Sequence, residues 1–156
     1  YFENWDVDAV TLSPYMGYDS VEPFLRYPGK GVYLLGVTSN PGAVDLEMHE
    51  LADGRHVFEL VGDMTRHAPA TPAGEGGIGL VLGLTNVSAE VLAGMPDVPL
   101  LVPGLGAQGG DLDALRGTGR LAPVVINVSR GILYAADDLS FSEKARHYAH
   151  RIANLA

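Results

Sequence analysis

The residues best fitted to chemistry lie in two stretches of the C-terminal third, Val102-Pro103-Gly104-Leu105-Gly106-Ala107-Gln108-Gly109-Gly110-Asp111 and Asn127-Val128-Ser129-Arg130-Gly131. In each, a β-branched and leucine-rich run breaks at glycines, where the backbone can turn and bring its N–H groups close to an anion. Arg130 adds a permanent positive charge and a fork of donors matched to a phosphate dianion. Pro103, Gly104 and Gly109 would shape a phosphate loop, and Gln108 could bridge that phosphate to the rest of a ligand. The plainer alternatives are a surface loop with conformational glycines and an Arg130 held in a structural ion pair. Two such loops at successive strand ends favour the phosphate reading. Ligands of parallel α/β folds bind at strand C-terminal ends, and the last two loops of a barrel often hold phosphate.

Loops of this kind need strands buried on both faces to present them. Apolar runs at Val7–Leu12, Gly31–Val37, Gly77–Leu84, Pro99–Val102 and Pro123–Val128 read as such strands, each followed by a turn rich in glycine, proline, serine or asparagine. Helices are expected between them. Asp19-Ser20 precedes one at Val21–Tyr27, Ser88 caps one that runs through Glu90–Leu92, and Val44–His67 reads as two helical pieces broken at Asp53-Gly54. Ser140–Leu155 carries apolar residues at helical spacing and closes the chain. Strand starts recur roughly every 22 to 24 residues, with one doubled interval, which is the rhythm of βα units. The expected fold is therefore α/β, with about five βα units. Tyr1-Phe2-Glu3-Asn4-Trp5 leads directly into the first strand, as though a helix had been cut, so further residues of the same domain are expected upstream.

The 156 residues, 47% of them apolar, suffice for one core. A net charge of −9 argues against nucleic acid or an anionic membrane as partner, since both need a basic surface. The chain has no cysteine, which excludes disulfides, thiol nucleophiles and cysteine metal sites. No membrane-length apolar run and no leader pattern occur, so the cytoplasm is the default location.

Five motifs in order carry a resemblance. Asp8-Ala9-Val10-Thr11-Leu12-Ser13-Pro14-Tyr15-Met16-Gly17 is followed by Thr38-Ser39-Asn40-Pro41-Gly42, by Gly79–Thr85, by Val102-Pro103-Gly104 with Gln108-Gly109-Gly110, and by Asn127-Val128-Ser129-Arg130-Gly131-Ile132. The whole run resembles strands four to eight of the bacterial type 2 orotidine 5′-phosphate decarboxylases. That resemblance implies a (β/α)8 TIM barrel, of which residues 1–156 would form the C-terminal part, with the N-terminal strands missing. It further implies a homodimer that converts orotidine 5′-monophosphate to UMP and carbon dioxide in de novo pyrimidine synthesis, with no cofactor and no metal. By position, Arg130 and the backbone around Ser129 would grip the 5′-phosphate, Gln108 would join from the seventh loop, and Ser39 would meet the pyrimidine edge.

One departure matters. The family's lysine and its Asp-x-Lys-x-x-Asp run, which surround the scissile carboxylate, precede this segment. The only lysines here are Lys30, in a turn ahead of a strand, and Lys144, in the last helix. No catalytic residue is therefore expected in this chain, and residues 1–156 alone are expected to bind without turnover. Two other readings remain beside this one: a non-catalytic half-barrel that binds a phosphometabolite and must cover its open edge strands, or another phosphate-binding barrel enzyme such as a sugar-phosphate aldolase or synthase. Lesser signals fall away. Gly74-Glu75-Gly76-Gly77-Ile78-Gly79 precedes a strand where a dinucleotide loop must follow one, and His147 with His150 lacks a third ligand. Asp6 and Asp8 flank a strand start at the non-catalytic end, as capping or solvent-facing residues.

Overall fold

Five strands form where the apolar runs lie: β1 (Ala9–Leu12), β2 (Gly31–Val37), β3 (Gly77–Leu82), β4 (Leu100–Pro103) and β5 (Val124–Asn127). The computed structural model describes residues 1–68, 76–104, 112–116 and 118–154. The strands pair in sequence order β1-β2-β3-β4-β5, and every neighbouring pair is parallel. Sequential parallel order with intervening helices is the winding of a (β/α)8 barrel. All five C-terminal strand ends therefore lie along one side of the sheet.

The register explains the core. Leu34, Leu80, Leu100 and Val124 stand side by side across four strands, and the first three are fully buried. Val32, Ile78, Leu82 and Val102 share that face and pack with Val21, Phe58, Val61 and Leu92 from the connecting helices. Each of these side chains contributes about 2 kcal/mol by leaving water. The opposite face carries Thr11, Tyr33, Leu35, Leu101 and Val125, none of them fully buried, with only Val81 of the central strand buried among them. Val125 is 51% exposed, which corrects the expectation that its strand is buried on both faces: β5, like β1, is a sheet edge.

Several bounds shift for local reasons. β1 starts late because Asp6 takes a left-handed conformation (φ 48°) and ends the short helix α1 (Phe2–Trp5). β3 stops at Leu82 because Gly83 begins a turn closed by Asn86 N–H onto Gly83 O at 3.2 Å. The expected helix at Val21–Tyr27 is instead α2 (Tyr18–Val21) running into a 3-10 turn at Glu22–Arg26, since Pro23 cannot donate to the α-helical ladder. The first half of Val44–His67 is not a helix. After a 3-10 turn at Pro41–Asp45 the chain folds back at Gly54 (φ 85°), and Glu50 bridges His56 antiparallel. The second half is α3 (Val57–Met64) with a 3-10 extension at Thr65–His67.

The remaining helices are α4 (Ala89–Gly94), α5 (Arg130–Leu133) and α6 (Phe141–Ala153). Ser88 Oγ accepts the Val91 N–H and starts α4 as expected. Ser140 and Glu143 close a reciprocal capping box on α6. Among the described residues no helix is long and apolar enough to cross a membrane.

Candidate active site at the strand ends

The strand-end side gathers Thr38-Ser39-Asn40 after β2, Gly83–Asn86 after β3, Pro103-Gly104 at the end of β4, and Ser129-Arg130 after β5. Pro103 pairs in register with Asn127, so the loop that leaves β4 starts beside the one that carries Arg130. Gly104 takes φ 84°, a conformation that favours glycine, and turns the chain out of the sheet. Gln108 and Gly109 lie outside the described residues.

Arg130 is the first residue of α5, and it is exposed. Its guanidinium makes no hydrogen bond or ion pair with any described residue. Each of the other nine Lys and Arg side chains has a partner among the described residues. Arg26 meets Glu22, Lys30 meets Asp6, Arg55 and Arg66 meet Asp63, Arg116 meets Asp113, and Lys144 meets Asp137. Arg120 meets backbone carbonyls, Arg146 meets Ser142, and Arg151 lies over the Tyr148 ring. The structural ion pair weighed for Arg130 is thus not formed among the described residues. α6 braces its position: a Cβ on Gly131 would collide with the Tyr148 hydroxyl, so glycine lets the helix pack directly behind the Arg130 turn. Ser129 is exposed, and its hydroxyl lies 3.4 Å from Asn127 Oδ1.

Ser39 presents the opposite picture. Its Oγ is sealed from solvent yet has no hydrogen-bond partner. It rests against Gly83, where any Cβ would overlap the hydroxyl and stand 2.8 Å from Ser39 N. A buried hydroxyl without a partner costs about 1–3 kcal/mol, a cost that a ligand group could remove once the side chain turns out of its Gly83 contact. The sequence reading singled out Ser39 but not its packing on Gly83, because a glycine ending an apolar run looks like any turn.

Neither lysine is free to serve this side. Lys30 precedes β2 and reaches Asp6 at 2.8 Å, which holds the Asp6 carboxyl below its usual range. Lys144 is buried in α6, where Nζ donates to Ala135 O at 2.9 Å and pairs with Asp137 at 3.0 Å. Among the described residues no group of three His, Asp or Glu side chains could hold a metal ion.

The family model for orotidine 5′-phosphate decarboxylase / HUMPS matches residues 1–145. The chain belongs to that family. An orotidine 5′-phosphate decarboxylase of Cupriavidus metallidurans is 46% identical over 153 residues, covering 95% of this chain and 55% of that protein. Among solved structures, Leishmania donovani OMP decarboxylase superposes with a TM-score of 0.78 at 37% identity, covering 99% of this chain and 59% of the other. The UMP synthase of the same organism gives 0.80 at 38% identity, with 99% and 34% covered. The chain spans about half the length of the curated relatives it matches. For this member of the orotidine 5′-phosphate decarboxylase / HUMPS family, five sequential parallel strands are accordingly a partial barrel.

Proposed function

We propose that this chain supplies the phosphate- and pyrimidine-binding loops of an orotidine 5′-phosphate decarboxylase, as the C-terminal part of a single barrel domain. The observation that carries the reading is Arg130: in a chain of net charge −9 it is the one cation without a partner among the described residues, and it follows the strand end that pairs with Pro103. Arg130 and the Ser129 backbone hold the 5′-phosphate, Pro103, Gly104 and Gly109 shape the loop, Gln108 bridges to the nucleotide, and the unsatisfied Ser39 hydroxyl meets the pyrimidine edge. Binding energy from the distant phosphate then organises the site around the transition state.

Loss of carbon dioxide leaves an electron pair on the ring carbon, which must be stabilised and protonated by a nearby ammonium. Lys30 and Lys144 are both committed elsewhere, so residues 1–156 bind but do not turn over. The reaction uses the organic substrate alone, with no cofactor. A homodimer and a cytoplasmic location accompany this reading. The relatives' names favour the decarboxylase over a sugar-phosphate aldolase or synthase.

The test is the ultraviolet absorbance of orotidine 5′-monophosphate, followed with purified residues 1–156 and with the same segment joined to a lysine-bearing N-terminal half from a family relative. No turnover in the first and turnover in the second, cut at least tenfold by Arg130→Ala, is expected; turnover by the segment alone overturns the assignment of catalysis to other residues.

A further inference from the structure

Thr38 is held through every polar group it has. Its N–H donates to Glu47 Oε2 at 2.6 Å, and its carbonyl accepts from Asn86 Nδ2 at 2.7 Å. Its hydroxyl lies 2.8 and 3.0 Å from the Glu47 carboxylate oxygens and 2.5 Å from Asn40 Oδ1, with one proton to give. Glu47 arrives from the turn beyond Pro41–Asp45, and Asn86 from the loop after β3. Two loops thus clamp the one residue that precedes Ser39, whose hydroxyl is buried and unpartnered. Gly83 N–H donates to Val37 O at 2.7 Å, which ties the β3 end to the same turn.

We infer that Glu47 and Asn86 are positioning residues, which fix the Thr38–Ser39 peptide so that the Ser39 hydroxyl, turned out of its Gly83 contact, meets the base of a bound nucleotide. The inference rests on the nucleotide site proposed above and extends it to two residues that touch neither phosphate nor base. A hydroxyl discriminates between ligands only if its backbone cannot drift, since an error near 1 Å forfeits the bond. Clamping all three polar groups of the preceding residue removes that freedom. Glu47 and Asn86 therefore act on recognition of the base and leave the phosphate contact at Arg130 untouched.

The experiment is calorimetric titration of the protein with UMP and, separately, with ribose 5-phosphate, which has the phosphate and sugar but no base. Glu47→Ala and Asn86→Ala are expected to weaken UMP binding about fivefold or more, the equivalent of one net hydrogen bond, while ribose 5-phosphate affinity stays within about twofold. Glu47→Gln restores UMP binding, because its amide can accept from the Thr38 N–H and still donate to the hydroxyl. Arg130→Ala weakens both ligands together. Should Glu47→Ala not fold, Asn86→Ala decides. Alanine variants that bind UMP like the parent, or that lose both ligands in equal proportion, overturn the positioning role and leave the phosphate site standing. A parent that binds neither ligand removes the site and this role with it.

Discussion

Arg120 ties together three segments at the end of the sheet away from the site, and its removal has a calculable cost. The side chain is 6% exposed. It donates to Pro96 O at 2.6 Å and Val98 O at 3.0 Å, with longer contacts to Leu92 O and Met95 O at 3.3 and 3.4 Å. Asp97 stands 3.7 Å from it and accepts the N–H groups of Leu121 and Ala122. Burial holds the Arg120 guanidinium below its usual pKa, the mark of a cation that relies on these carbonyls in place of water. Arg120→Ala deletes two short charge-assisted bonds, each about 1.5–3 kcal/mol, and leaves carbonyls near the end of α4 to whatever water can enter. We expect a loss of about 3–5 kcal/mol, the range for breaking a buried charged contact. At about 2–4 °C per kcal/mol for a chain of this size, the melting temperature falls by about 6–20 °C. Urea unfolding followed by circular dichroism measures it. A loss under about 1 kcal/mol, the value of an exposed ion pair, would refute the claim that this knot holds the sheet.

Asp97 predicts an acid limb. Its carboxyl is held below the usual range chiefly by the Leu121 N–H, with the Ala122 N–H and Arg120 adding to it, so its contribution is present above the unfolded carboxylate pKa and is lost as pH falls through the lower folded value. Stability in urea should therefore drop below about pH 4, and the gap between parent and Asp97→Asn should narrow there. Gly83→Ala places a methyl against Ser39 N and the Thr38 carbonyl carbon, both backbone, so the turn must move: about 1–3 kcal/mol of stability should go, and UMP should lose more affinity than ribose 5-phosphate. Ser140→Ala opens the capping box on α6 and should cost about 1 kcal/mol in a urea titration, with no larger loss of nucleotide binding than the lost stability explains.

What could be read from the sequence was whatever periodicity or backbone chemistry encodes. Gly31–Val37 alternates between a helix-packed face and a less covered one within a long apolar run, and its bounds agree with the structure. Ser88 and Ser140 announced their helices because a hydroxyl at an N-cap has a single local job. Val125 misled, because its composition speaks of burial whereas its place at an open edge leaves half of it in water. The segment from Val44 misled for a different reason. Its apolar spacing suits a helix, but Gly54 and the Glu50–His56 bridge fold it back, and Glu47 is spent on Thr38. At the site, Arg130 and Gly104 were legible as a cation and a turn at strand ends. Gly83, Glu47 and Asn86 were not, because their roles depend on contacts between loops far apart in the chain.

The central claim is a nucleotide phosphate site built on Arg130. Its most direct test is titration of the protein with UMP, beside Arg130→Ala, at low and at moderate salt. The account predicts measurable binding that weakens with salt and falls at least tenfold in the variant, as expected for a lost charge-assisted contact to phosphate. Equal affinity in parent and variant would contradict it, whatever the fold.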